Sequence, residues 1–346
     1  MKICIYSDVH WSTTSSIVRQ YGSLFSTRLE HLINSMNWVN SIAVEKGCEL
    51  TICAGDFMHK PQLSDEELTA LKQINWADMQ HYFLCGNHES SVSSLCFSSV
   101  MALESDHRHI VADQLFNLVI GDIKISFVPY ITESNRQDLD TYINKDIIAK
   151  KHIIISHNDI AGINYCYGGF ESKAGFSIDE IEKNCDLYLN GHLHNQKWIT
   201  NKILNVGSLS GHNFTNDSII YKYGIWILDT DTLKTEFIEN PYGFNFYKFE
   251  IYDKKEIKDL KKIKQNAVVS VVCSKDLYCD CKEALDLNTN IITHRLSTRH
   301  DIVETTSSLD IEEIRGTDHI QRLIQFCHSN IENTAILEAE LAEICK

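Results

Sequence analysis

A layered α/β fold is predicted, with central mixed β-sheets flanked by helices, then a small α+β unit and a helical C-terminal tail. Three features of the chain predict it. Short apolar runs alternate with helix-period segments through the first part, as where strands are joined by helical crossovers. Strand patterns alone then continue to Asn240-Pro241-Tyr242-Gly243, where turn residues break the chain. Beyond the break the alternation resumes on a smaller scale, and the final stretch repeats apolar residues at helical spacing. The expected domains are residues 1–240, 244–300 and 309–346. A chain of 346 residues has the length for one large domain and a smaller one.

The first apolar strand, Ile3 to Tyr6, runs into Ser7-Asp8-Val9-His10. Residues two apart in an extended segment share a face, so Asp8 and His10 are expected to reach one ion from one side of a sheet. A helix is expected from Phe25 to Lys46, with Leu29, Leu32, Ile33, Met36 and Val39 on one face and Gly47 at its end. Leu50 to Ala54 is a second strand that leads into Gly55-Asp56-Phe57-Met58-His59, and Pro61 stops it. Ser64 before Asp65, Glu66 and Glu67 caps a helix running towards Ile74. Tyr82 to Cys85 is a third strand, followed at once by Gly86-Asn87-His88-Glu89.

Val100 to Glu104 reads as helix and Ile123 to Pro129 as strand. Ile153 to Ile155 delivers Ser156-His157-Asn158-Asp159 and a glycine-rich loop through Gly162, Gly168, Gly169 and Gly175. Leu187 to Asn190 delivers Gly191-His192-Leu193-His194, Ile203 to Val206 leads into Gly207-Ser208, and Ile219 to Leu228 with Thr235 to Ile238 reads as a hairpin. After the break, strands Phe246 to Ile251, Ala267 to Val272 and Ile291 to Leu296 alternate with helices Lys254 to Lys264 and Cys281 to Leu287. Thr305 to Ser308 is a polar linker. Two helices close the chain, one with Ile320, Leu323, Ile324, Cys327 and Ile331, the other with Leu337, Leu341 and Ile344.

Hydrophobic residues make up 43% of the chain, as in globular proteins, and no apolar run approaches the roughly 18 residues of a membrane span. The N-terminus lacks the pattern of a secretory signal. Twelve scattered cysteines, several in expected core strands, point to reduced thiols and a cytoplasmic protein. Cys279 and Cys281 are too close, and lack a second pair, for a structural zinc. A net charge of -15 argues against coating nucleic acid through a basic surface. From Phe246 to His300, however, eleven Lys and Arg stand against eight Asp and Glu, a balance of +3.

The strand-end residues Asp8, His10, Asp56, Asn87, His157, His192 and His194 are all of metal-ligand type. Ligands of α/β sheets collect at the carboxyl ends of strands, so loops distant in sequence are expected to converge there. Seven nitrogen and oxygen ligands without cysteine suit two borderline ions such as manganese, iron or zinc. Paired ions about 3.5–4 Å apart share a ligand, and Asp56 is the candidate bridge.

These five motifs, Asp8-Val9-His10, Gly55-Asp56, Gly86-Asn87-His88-Glu89, Ser156-His157 and Gly191-His192-Leu193-His194, resemble those of the calcineurin-like metallophosphoesterases over about residues 1–240. The resemblance implies that Asp8, His10, Asp56 and His194 hold one ion, and Asp56, Asn87, His157 and His192 the other. It implies that His88 is catalytic, facing the scissile phosphate and protonating the leaving oxygen. Glu89 stands where the family usually has aspartate, so the longer acid is expected to bear on how His88 is oriented.

His59, three residues after Asp56, resembles the second phosphate-facing histidine of SbcD-type nuclease subunits, and is therefore a second catalytic candidate. The Gly207-Ser208 turn, the small capping unit and the helical tail are also similar to that group, which includes phage recombination endonuclease subunits. This resemblance implies a metal-dependent exo- or endonuclease, with two divalent ions, most naturally Mn2+ (Mg2+, Fe2+ and Zn2+ being alternatives). Its partners are expected to be DNA and an SMC-like, SbcC-type ATPase docked on the tail, in a heterotetramer built on a homodimer, with no membrane association. The competing readings are a phosphatase or phosphodiesterase of the same fold acting on another phosphoester, and a non-catalytic scaffold. A scaffold would be expected to lose ligands, and none is missing.

Overall fold

The computed structural model describes residues 1–13, 24–91, 94–104, 108–163, 171–214 and 219–298. The linker and helices expected after residue 300, and Gly168 and Gly169, lie outside the described residues. Two six-stranded sheets face each other. One is ordered Lys234–Glu239, Gly224–Asp229, Lys2–Tyr6, Leu50–Cys53, Gln80–Leu84, His109–Ala112. The other is ordered Lys197–Trp198, Ile203–Asn205, Leu187–Asn190, Lys151–Ser156, Ile123–Val128, Phe116–Ile120.

The pleat sorts each central strand into two cores. Ile3 and Ile5 point between the sheets, where they join Ile52, Leu84, Ile125, Phe127, Ile153, Ile155 and Leu189. Cys4 and Tyr6, on the opposite face, pack under the helix Thr27–Glu45 with Leu29, Leu32, Met36 and Val39. Ile154 and Tyr188 face outwards in the second sheet, beneath Ile181 of the helix Ile178–Asn184. Strands covered on both faces read as continuous apolar runs, which is why they were legible without alternation.

The parallel pairing of Lys2–Tyr6, Leu50–Cys53 and Gln80–Leu84 brings their carboxyl ends to one edge. Lys151–Ser156 and Leu187–Asn190 are likewise parallel neighbours in the second sheet.

Several elements differ from expectation. Phe116–Ile120 is a strand that pairs antiparallel with Ile123–Val128 across Gly121 and Asp122, where Gly121 has φ 57°. That two-residue glycine turn is the signal that marks the hairpin. The strand expected from Ile219 starts only at Gly224, because Ile219, Tyr221 and Tyr223 instead pack with Phe244, Phe246 and Val268. Ser99–Leu103 and Lys254–Lys262 are 3-10 rather than α-helical. In the second case Ile257, Leu260 and Ile263 recur every three residues, the repeat of a 3-10 turn, and all three reach the core. That core belongs to a three-stranded parallel sheet, Asn245–Ile251, Ala267–Cys273 and Ile291–Thr298, with the helix Tyr278–Asp286. Among the described residues no helix is long and apolar enough to cross a membrane.

The loop after the first strand is tied down by one buried acid. Trp11 N–H donates to the Phe57 carbonyl at 2.7 Å, and the Trp11 indole to the Glu67 carbonyl at 3.1 Å. The Glu67 carboxylate accepts from the Thr13 amide at 2.9 Å and, closing a capping box, from the Ser64 amide at 2.7 Å, and pairs with Lys60 at 3.0 Å. Glu67→Ala leaves those groups without their acceptor and is expected to cost about 1–3 kcal/mol, read as a shift of the urea midpoint. An unchanged midpoint would show that the loop is held by other contacts.

Candidate metal centre

The five motifs meet at the shared edge of the two sheets, but not through extended strands. The first strand ends at Tyr6, and Asp8 and His10 both have φ 50°; Asp56 has φ 50° and His192 φ 74°. The expectation that Asp8 and His10 converge by strand alternation is thus corrected: left-handed backbone aims them. Asp, Asn and His tolerate this region best, and each such residue stores about 1–3 kcal/mol that surrounding bonds must offset. The Asp8 amide donates to the Gly55 carbonyl at 3.1 Å and the His10 amide to the Asp56 carbonyl at 3.0 Å, zipping two loops together. Gly55 has φ 104° and a Cβ there would overlap the His157 imidazole; one at Gly86 would overlap the Asp56 carboxylate.

Around Asp8 the ligand atoms converge. His10 Nε2 lies 3.0 Å from His194 Nε2, and Asp8 Oδ1 lies 4.0 Å from the first and 3.8 Å from the second. Asp8 is completely buried and, among the described residues, neither carboxylate oxygen has a hydrogen-bond partner. A buried carboxylate in that state is costly unless a cation neutralises it, so the donor set fits a metal ion. Burial, then the neighbouring His194, pushes the His10 imidazole well below its usual range, and burial likewise lowers His194, so both offer lone pairs.

A second cluster adjoins it through Asp8, Asp56 and His157, whose ligand atoms lie within 4.8 Å of one another. His157 Nδ1 donates to the Ala54 carbonyl at 2.8 Å, which turns Nε2 towards Asp56 Oδ2 at 3.2 Å and Asn87 Oδ1 at 3.2 Å. His192 Nδ1 lies 3.0 Å from the same Asn87 oxygen, and its Nε2 lies 3.3 Å from Asp159 Oδ1. All seven predicted ligand residues are therefore brought together. Asp56 lies in the second cluster, while Asp8 is common to both. Burial raises the Asp56 carboxyl, but His157 and the His88 amide outweigh burial and hold it below its usual value. Burial lowers His157, yet the Asp56 carboxylate prevails and raises it to about 9.

His88 and His59 flank this centre. The His88 amide donates to Asp56 Oδ1 at 2.9 Å and its Nδ1 to the His59 carbonyl at 3.1 Å. His59 Nδ1 lies 3.3 Å from His10 Nδ1, and its ring stacks on His88 at 5.1 Å. Glu89 does not orient His88, contrary to expectation. Its longer side chain is buried and accepts from the Met58 amide at 2.8 Å and the Gly86 amide at 2.7 Å, stapling the second and third loops. Two more residues at the site carried no readable signal, His212 and Arg28, and a third, Asp159, could have been found as the acid two places after His157.

The sequence profile described as Calcineurin-like phosphoesterase matches residues 1–196 of the 346. Among solved structures, a novel archaeal phosphodiesterase is similar at 16% identity and TM-score 0.36, over 69% of this chain and 99% of its own. A dimetal phosphatase from Danio rerio aligns at 9% identity and TM-score 0.40, over 65% of this chain and 91% of its own. Purple acid phosphatase PPD1 from yellow lupin (Lupinus luteus) aligns at 10% identity and TM-score 0.41, over 69% of this chain and 51% of its own. No curated protein sequence matches the chain.

Two measurements test the centre. A ligand imidazole must be neutral, and His157 is raised above its free value, so metal uptake releases its proton and strengthens as pH rises towards about 9. Manganese calorimetry at pH 7 in buffers of differing ionisation enthalpy should show that proton; none released contradicts the assignment. Asp159→Asn is expected to weaken one of the two ions about 10–100-fold by loosening His192, with the other unchanged.

Proposed function

The chain belongs to the calcineurin-like phosphoesterases, metal-dependent hydrolases of phosphoesters with a dinuclear centre, and on that premise we propose that it is an SbcD-type DNA nuclease subunit. The observation that carries this reading is the paired His59 and His88, whose rings stack at 5.1 Å and whose ring nitrogens lie with that of His10 within 4.8 Å of one another. One such histidine serves any phosphodiester or monoester; a second supports a substrate gripped on both sides of its phosphate. The three-stranded unit that follows the site, packed on it through Phe244 and Phe246, also supports the reading. In the domain division proposed, residues 1–240 cleave, 244–300 cap and 309–346 dock an SMC-like, SbcC-type ATPase. The ATPase would supply the DNA-binding surface that a chain of net charge -15 lacks. A homodimer within a cytoplasmic heterotetramer is the assembly that goes with it.

Asp8, His10, Asp56 and His194 would hold one ion and Asp56, Asn87, His157 and His192 the other, with Mn2+ the metal best suited to this oxygen and nitrogen set. When bound, such ions supply Lewis acidity to the non-bridging phosphate oxygens and to the attacking water. The chain's own groups do the rest. The His59 carbonyl can only accept, so His88 Nδ1 carries its proton and Nε2 is left to face the leaving oxygen. His88 therefore gives up a proton there only from its doubly protonated form. The hydrogen bond that the His88 backbone N–H donates to Asp56 Oδ1 ties its backbone to the ligand cluster.

Manganese-supported digestion of end-labelled linear DNA tests the reading, with and without a candidate ATPase. His88→Ala is expected to slow cleavage by about 10²–10⁴ while both ions stay bound. DNA left intact alongside rapid hydrolysis of a phosphomonoester or cyclic nucleotide would return the chain to the phosphatase alternative.

A further inference from the structure

Arg28, on the long helix Thr27–Glu45, is completely buried, with its guanidinium against the Val9 carbonyl and the His212 ring. Its Nη1 donates to the Gly211 carbonyl at 2.7 Å and its Nη2 to the Val9 carbonyl at 3.3 Å. Nη2 also lies 3.4 Å from His212 Nδ1, and the guanidinium sits 5.5 Å from the centre of the Phe244 ring. None of these partners is a carboxylate, and among the described residues Nε has no partner. A buried guanidinium so placed is expensive to keep, which asks what its position achieves.

The answer runs through His212. A guanidinium is a donor only, so His212 Nδ1 accepts from it and the ring proton sits on Nε2. The ring is thereby fixed in tautomer and plane. It packs 4.2 Å from the His59 ring and 4.9 Å from His10, measured between ring centres, and is only 6% exposed. His59 thus packs against both His88 and His212. The loop carrying His212 is itself pinned: the Leu209 amide donates to the Ser7 carbonyl at 2.9 Å, and a Cβ at Gly211 would overlap the Phe246 ring.

We propose that Arg28 and His212 form a positioning pair, in which the guanidinium locks the His212 ring and that ring holds His59 in the orientation that faces the substrate phosphate. The proposal rests on the reading of His59 as phosphate-facing. His212 packs on His59 and also on the ligand His10, so an effect through His59 leaves the metal content unchanged whereas one through His10 does not.

A double-mutant cycle in the full-length, manganese-loaded protein tests this, with His59→Ala, His212→Ala and the double variant assayed on linear DNA and on bis(p-nitrophenyl) phosphate. His212→Ala is expected to lower kcat about 10- to 100-fold with KM and metal content unchanged, and to have no further effect when His59 is already alanine. Equal losses in both backgrounds, loss of metal, or a His59→Ala variant with undiminished kcat would overturn the pair. If turnover of the His59 variant is too slow to follow, inorganic phosphate binding measured by calorimetry gives the same cycle, with the same outcomes. Cleavage of bis(p-nitrophenyl) phosphate but not of DNA would sink the nuclease reading alone and leave the cycle readable.

Discussion

A carboxylate sealed in the protein interior, with neither oxygen satisfied among the described residues, is the constraint around which this molecule is built. Asp8 is that group, and the imidazoles of His10 and His194 close on it from two different sheets. Left as it stands, such a site destabilises the fold; with a cation among those atoms it joins the sheets. The parallel strands explain why the residues can meet. They deliver five loops to one edge, and three of those loops, at Asp8 and His10, at Asp56 and at His192, bend into left-handed conformations to finish the approach.

The strain of those loops is offset by hydrogen bonds that run between the loops. The Ala54 carbonyl sets the His157 ring, Asp159 sets His192, and Glu89 joins the amides of Met58 and Gly86. Each ties a ligand or its loop to a neighbouring loop, so that the site is held as a unit and not as separate side chains. The apolar layer between the sheets, from Ile3 to Leu189, provides the rigid floor on which that unit rests.

Electrostatics give the proposed nuclease its division of labour. The acidic chain has no general attraction for a polyanion, whereas cations held by the ligand cluster would concentrate positive potential where a phosphate would sit. Cleavage and capture of DNA would then belong to different surfaces, and in the proposed assembly to different subunits.

The primary structure alone determined that there is a layered α/β fold, that Asp8, Asp56, Asn87 and the histidines belong together, and that the chain resembles the family its profile match establishes. It could do so because doubly covered strands are continuous apolar runs, and the ligand types follow those runs directly. Local spacing also located the helix cap at Ser64. It misjudged what depends on partners distant in the chain. The way Asp8 and His10 are aimed is decided by backbone bonds to Gly55 and Asp56; the task of Glu89 by two amides across the site; and the places of Arg28 and His212 by a meeting of residues 184 apart. Those facts lie in the tertiary structure because a hydrogen bond across loops leaves no periodicity in the chain that makes it.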